Sequence, residues 1–164
     1  MQENHTAVQT ETIDGTLSLD IPEGFQQMSR EELKQAYLTD RPESWGTWDK
    51  ERHIMITVLW KRNPGILAVL ADIRGLAHRN QLQTEKAYAG HDYLLEGFFS
   101  MRAEKVPLEG YRFSYCVNGT AQHAETILLK HRKTVYSITC AGRKENAGTD
   151  REIFRRIMES LRIS

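Results

Sequence analysis

The chain has 164 residues, 40% of them hydrophobic and 27% charged, and its 22 basic and 22 acidic groups cancel to a formal net charge of zero. This is the composition of an ordinary folded domain rather than a disordered tail. Zero net charge also excludes a nucleic-acid binder that works through a large positive field. The neutrality is a sum over opposite parts, since residues 1–50 hold 4 basic and 10 acidic groups while residues 130–164 hold 9 and 4. One domain of this length buries roughly 70% of its unfolded surface, enough for a core without disulfides or metal. Cys116 and Cys140 are too few for a disulfide framework. The longest apolar run, Ile66-Leu67-Ala68-Val69-Leu70-Ala71, is far short of the roughly 20 residues of a membrane span. Residues 1–11 are polar and carry no export signal, so a soluble, cytoplasmic protein without a membrane span is expected.

Residues 1–12 have almost no apolar content and read as a flexible tail ahead of a single domain over 13–164. Residues 17–21 alternate apolar and polar with period two, the pattern of a half-buried strand, which Pro22-Glu23-Gly24 ends. Ser29 and Glu32 form a capping box ahead of a short helix with Leu33, Ala36 and Tyr37 on one face. Residues 45–49 and 53–61 read as two strands around a charged turn, with Ile54, Ile56, Val58 and Trp60 sharing a face. Asn63-Pro64 places a cap and a proline before a helix over 66–80, whose Ile66, Val69, Leu70, Ile73, Leu76 and Ala77 recur at helical spacing and predict a core-facing stripe. Ala87, His91, Leu94, Leu95, Phe98 and Met101 keep a helical period over 84–102, against which Gly90 and Gly97 count. Residues 111–117, 121–130 and 134–141 are β-rich runs separated by Asn118-Gly119 and by a basic turn, and Asn-Gly between such runs signals a hairpin. Thr149 and Glu152 predict a second capping box and a final helix carrying Ile153, Phe154, Ile157, Met158 and Leu161. Hairpin-joined strands with helices before, between and after them give an α+β class with an antiparallel sheet covered on both faces.

Two-residue turns fix a register. Val117 then faces Thr120, Tyr115 faces Gln122 and Phe113 faces Ala124, so Tyr111, Phe113, Tyr115 and Val117 share one face. Arg112, Ser114, His123 and Glu125 cluster on the other, where Arg112 and Glu125 make a cross-strand pair. These four are the candidate pocket. Ser114, His123 and Glu125 contain the parts of an acid-base relay, but His123 and Glu125 lie two apart on one strand, side by side at about 7 Å rather than head-on. No catalytic residue is assigned. The six histidines form no His-Glu-x-x-His, and the His123-Ala124-Glu125 trio lacks the Pro-Cys-x-x-Cys of zinc deaminases, so neither a metal nor a cofactor is expected. In this register Cys116 and Cys140 stand on the order of 15 Å apart, too far for a disulfide. Trp45 and Trp48 put two indoles close together, and with the basic run Lys130, Arg132 and Lys133 they are the candidate partner-binding residues.

Several segments resemble one family. Leu19-Asp20-Ile21-Pro22-Glu23-Gly24-Phe25 running into a short helix, Gly110-Tyr111-Arg112-Phe113-Ser114-Tyr115, Val135-Tyr136-Ser137-Ile138-Thr139 and Phe154-Arg155-Arg156-Ile157-Met158-Glu159-Ser160-Leu161 resemble the opening strand, meander and closing helix of bacterial domains with the Mog1/PsbP-like fold. The resemblance implies an antiparallel sheet of about six strands between helices, an α/β/α sandwich. It implies a binding module rather than an enzyme, since proteins of this fold include a transport factor that binds a small GTPase, an extrinsic photosystem subunit and chaperones of secreted toxins. The expected function is a non-catalytic bacterial adaptor that holds a protein partner on a partly uncovered sheet face or the tryptophan region, with no nucleic acid; a second copy of the chain, as a homodimer, is one such partner. A small-molecule site or enzyme near Arg112, His123 and Glu125, and a chaperone or immunity role toward a secreted toxin, are the alternatives.

Overall fold

A computed structural model of the protein describes residues 7–37 and 41–164. Residues 1–6 of the expected tail and the side chain of Tyr37 lie outside the described residues. In chain order the elements are β1 (Val8–Ile13), β2 (Leu17–Pro22), β3 (Gln26–Gln27), α1 (Arg30–Tyr37), β4 (Ser44–Asp49), β5 (Ile54–Arg62), α2 (Ile66–Leu70) and α3 (Ile73–Ala87). There follow β6 (Leu94–Ala103), β7 (Val106–Val117), β8 (Thr120–His131), β9 (Thr134–Arg143), a 3₁₀ turn (Lys144–Asn146), α4 (Ala147–Glu159) and β10 (Arg162–Ile163). The main sheet has seven strands in the order β3-β4-β5-β9-β8-β7-β6, and a second has three in the order β1-β2-β10. Every pairing is antiparallel.

The meander has the register the two turns dictate. Val117 pairs with Thr120, Ser114 with His123 and Arg112 with Glu125. Glu125 pairs with Cys140 and Leu129 with Tyr136. Period two then sorts the side chains. One face carries Ile54, Ile56, Val58, Ile127, Leu129, Tyr136, Ile138 and Cys140, which pack with Leu17, Leu19 and Ile21 of the small sheet, with Phe154, Ile157 and Met158 of α4, and with Leu161 just beyond it. The other carries Tyr111, Phe113, Tyr115, Ala124, Leu128 and Ala141, packed against Ala77 of α3 and flanked by Tyr88 and Tyr93. Both thiols are free.

Five expectations need correction. Residues 8–12, read as tail, form most of β1: Gln9 and Glu11 pair with Ile21 and Leu19, so the backbone ladder, not apolar content, fixes them. Residues 94–102, read as helix, lie in edge strand β6. A bulge between Leu95 and Gly97 shifts the alternation by one residue, which hides the period of two. The single helix over 66–80 is two, because Ala71 is extended (ψ 144) and the Asp72 carboxylate accepts from the Gly75 amide at 2.7 Å to start α3 afresh. Asn63-Pro64 does not cap α2, whose N-cap is Gly65. Thr149 does not cap α4, which starts two residues earlier at Ala147, and Glu152 instead pairs with Arg155 at 2.9 Å and Arg156 at 3.3 Å. The other capping box forms as expected: the Glu32 amide donates to Ser29 Oγ at 3.1 Å and the Ser29 amide to Glu32 Oε1 at 2.9 Å.

Tyr111 ties α3 to the sheet. Its hydroxyl donates to Asn80 Oδ1 at 2.6 Å and lies 2.7 Å from Thr84 Oγ1. Burial pushes the Tyr111 phenol up to about 12, so the folded chain keeps a proton that the unfolded chain releases near pH 10. This contribution is complete below about pH 10 and is lost as the pH rises toward 12. Tyr111→Phe is expected to cost about 1–2 kcal/mol at neutral pH. It should also reduce the loss of stability between about pH 9 and 11.5 in urea melts; the same alkaline loss in the variant would contradict this role.

Candidate functional site

The four candidate pocket residues do share one sheet face, but they divide into two groups. Arg112 Nε donates to Glu125 Oε1 at 2.7 Å, and its guanidinium lies 4.3 Å from the centroid of the Phe99 ring. These two line a groove of about 690 Å³ between β6 and α4, with Phe99, Met101, Arg151 and Arg155 around them. Ser114 and His123 do not line it. His123 is buried, its Nε2 lies 2.9 Å from Asp150 Oδ2 of α4, and its ring stacks on Phe154 at 5.2 Å. A relay through Ser114, His123 and Glu125 is therefore not assembled, because the imidazole is committed to a carboxylate on the covering helix. The pair instead clamps α4 onto β8.

Sequence reading missed Asp150. Its signal was an acid on an apolar stripe, since Asp150, Phe154, Ile157 and Met158 recur at helical spacing on the face of α4 that the sheet buries. Room for its carboxylate comes from Gly142, where a Cβ would fall on Asp150 Oδ2. Cys140, beside Glu125 in the register, is buried; desolvation pushes its thiol well above the usual range and the Glu125 charge adds to the shift. Such a thiol is inert. Among the described residues no group of three His, Cys, Asp or Glu side chains could hold a metal ion, and no helix is long and apolar enough to cross a membrane.

The tryptophans do not form one patch. Three residues apart on β4, they point to opposite faces, as a period of two requires. Trp45, opposite Val58, packs against the larger core, whereas Trp48, opposite Met55, lies under Lys50 Nζ at 4.5 Å. The aromatic face of β7 is not open either: Tyr111 is 0%, Phe113 2% and Tyr115 7% exposed. Lys130 is also not free. Its Nζ donates to the carbonyls of Val69 at 2.8 Å and Ala71 at 2.6 Å, the C-terminal end of α2. Arg132 and Lys133 remain exposed at the β8–β9 turn.

The apolar surface lies on α2. Ile66, Leu67 and Leu70 are 74%, 73% and 76% exposed, and no residue of the helix is buried. Helical periodicity predicts a core stripe here, but the break at Ala71 lets α3 alone continue onto the sheet while α2 turns outward. Lys130 satisfies the carbonyls that such a short helix leaves open. The result is a fixed apolar platform beside the β8–β9 turn.

No protein-family model and no curated protein sequence matches the chain. Solved structures do. Cyanobacterial PsbP (CyanoP) from Synechocystis sp. PCC 6803 is similar with a TM-score of 0.73 at 12% identity, covering 100% of this chain and 96% of that one. The Saccharomyces cerevisiae Ran-binding protein Mog1p is similar with a TM-score of 0.60 at 9% identity, covering 96% of each. This chain has the Mog1/PsbP-like fold. An immunity protein of the Pseudomonas aeruginosa type VI secretion system, TplEi, is similar with a TM-score of 0.51 at 10% identity, over 73% of this chain and 43% of that one. At these identities the likeness is one of fold, and the Mog1/PsbP-like architecture carries no residue role across.

Proposed function

We propose that this chain is a non-catalytic binding module that holds a protein partner on the α2 platform. The observation that carries this reading is the exposure of Ile66, Leu67 and Leu70 on a helix whose end is fixed by Lys130. Three large apolar side chains side by side on a rigid element are what an interface core uses, and they find no cover within the described residues. Arg132 and Lys133, exposed at the neighbouring turn, favour an acidic rim on the partner. Two fold neighbours carry protein-directed names, a Ran-binding protein and an immunity protein, which supports a protein as the partner class. A bacterial cytoplasm is the compartment of this reading, in keeping with two free cysteines.

The test is capture of partners from cells of the source organism by the wild-type chain and by an Ile66→Ser/Leu67→Ser/Leu70→Ser variant. Recovery of a partner should fall at least about tenfold, because three contacts of an interface core are lost. The thermal midpoint should stay within about 2 °C, since the replaced side chains are exposed. A Trp48→Ala variant, at the other end of the strands near the β7–β8 turn, should retain the partner. Undiminished recovery by the serine variant would sink the assigned surface. A second reading, a small ligand in the groove of about 690 Å³ beside Arg112 and Glu125, is favoured by its size, which lies within the range of ligand pockets.

A further inference from the structure

A second cleft, on the opposite face of the sheet from that groove, has a different character. It measures about 280 Å³ and lies between α2 and α3 on one side and β5, β8 and β9 on the other. Its floor is apolar, made by Leu59, Leu76, Leu128 and Val135. Its rim carries three cations, Arg41, Lys61 and Arg79, and no carboxylate among the described residues lines it.

That imbalance stands out in a neutral protein. Nearly every other arginine side chain among the described residues has a carboxylate or carbonyl partner, whereas Arg41, Arg79 and Arg132 have none, and the first two converge here. Neutral donors accompany them. The Asn80 amide lines the cleft, and its oxygen is already occupied by the Tyr111 hydroxyl at 2.6 Å, which leaves the amide NH₂ to donate. Ser137 and Gln83 line the same space. Cations and donors above an apolar floor make a site that is complementary to an anionic head on an apolar body. The volume is just below the usual range of ligand pockets, so the occupant is compact.

We propose that the cleft between α2, α3 and β5 binds a small organic anion, a carboxylate or phosphate monoester with a short apolar or aromatic body. Arg79 and Lys61 clamp the head, Asn80 donates to it, and Leu76, Leu128 and Val135 receive the body. This goes beyond the protein-binding reading and does not depend on it, since the exposed side chains of α2 do not line the cleft.

Benzoate, phenyl phosphate, inorganic phosphate and neutral benzyl alcohol are titrated into isotopically labelled protein and followed by backbone amide NMR. Benzoate or phenyl phosphate should bind saturably, with shifts centred on Asn80, Gln83 and Ser137, and benzyl alcohol at least about tenfold more weakly. Comparison of the two acids separates a carboxylate from a phosphate site, and phosphate alone should bind more weakly than phenyl phosphate because the floor goes unused. Both cations are exposed, so a Lys61→Gln/Arg79→Gln variant should keep its spectrum while losing at least about tenfold in affinity. The Ile66→Ser/Leu67→Ser/Leu70→Ser variant should bind the anions as the wild type does. Absence of saturable binding by either aromatic acid up to about 10 mM, shifts centred elsewhere, or full affinity in the double variant would overturn the assignment.

Discussion

Replacing His123 with leucine lowers stability by about 3–5 kcal/mol, because it leaves the Asp150 carboxylate buried without its partner. For a chain of this length that is a fall of roughly 10 °C in thermal midpoint. Leucine keeps apolar volume against Phe154, so the loss reports the severed polar contact rather than a cavity. Asp150→Ala costs less, about 1–3 kcal/mol, since a buried imidazole left without a partner is cheaper than a buried carboxylate. The decisive measurement is the double variant His123→Leu/Asp150→Leu in chemical denaturation. It should recover much of the stability lost by His123→Leu alone, because an apolar pair replaces a hydrogen-bonded polar pair of similar shape. Simple additivity of the single costs would show that the two side chains do not act as a unit.

Gly110→Ala is expected to cost about 3 kcal/mol or more. A Cβ at this position of β7 would fall on the backbone carbonyl oxygen of Thr126 and within 2.7 Å of Phe99 Cζ and 2.9 Å of Ile127 Cγ2. The side-chain contacts can yield, but the carbonyl belongs to the neighbouring strand and cannot move without opening the ladder. A Phe99→Leu/Gly110→Ala double variant should therefore recover little of the loss. A cost below about 1 kcal/mol, or full rescue by Phe99→Leu, would show that the β7–β8 spacing is softer than its geometry implies.

The meander was the most legible part of the chain. Asn118-Gly119 and Arg132-Lys133 as two-residue turns, together with strict alternation, placed every side chain of β7, β8 and β9 on its face. Strand β6 was not legible, because its bulge at Leu95–Gly97 gives Leu94, Leu95, Phe98 and Met101 a false helical spacing. Strand β1 was hidden for another reason: Val8, Gln9 and Thr10 are exposed, so pairing with β2 rather than burial orders them. At the candidate sites, residues joined by register were found and residues joined by tertiary packing were not. Arg112 and Glu125 face each other on adjacent strands and were paired from sequence, whereas Asp150 reaches His123 across 27 residues. Trp45 and Trp48 were grouped by proximity along the chain, although the period of two already assigned them to opposite faces. The outward turn of α2 depends on a lysine about 60 residues away, and nothing local in an apolar helix announces that its stripe will meet water.

Strand β2 lies between β1, its immediate predecessor, and β10, at the far end of the chain. Asp20 alone bonds to both the Ser160 hydroxyl and the Arg162 guanidinium, 140 and 142 residues later. At ribosomal speeds of 5–20 residues per second that interval is about 7–30 s. Throughout it Leu17, Leu19 and Ile21 have been synthesised but their cover of Phe154, Ile157 and Leu161 has not. The β1–β2 hairpin is thus a sticky nascent segment that cannot reach its native burial until residues 154–161 have been made, and until then it is exposed to aggregation.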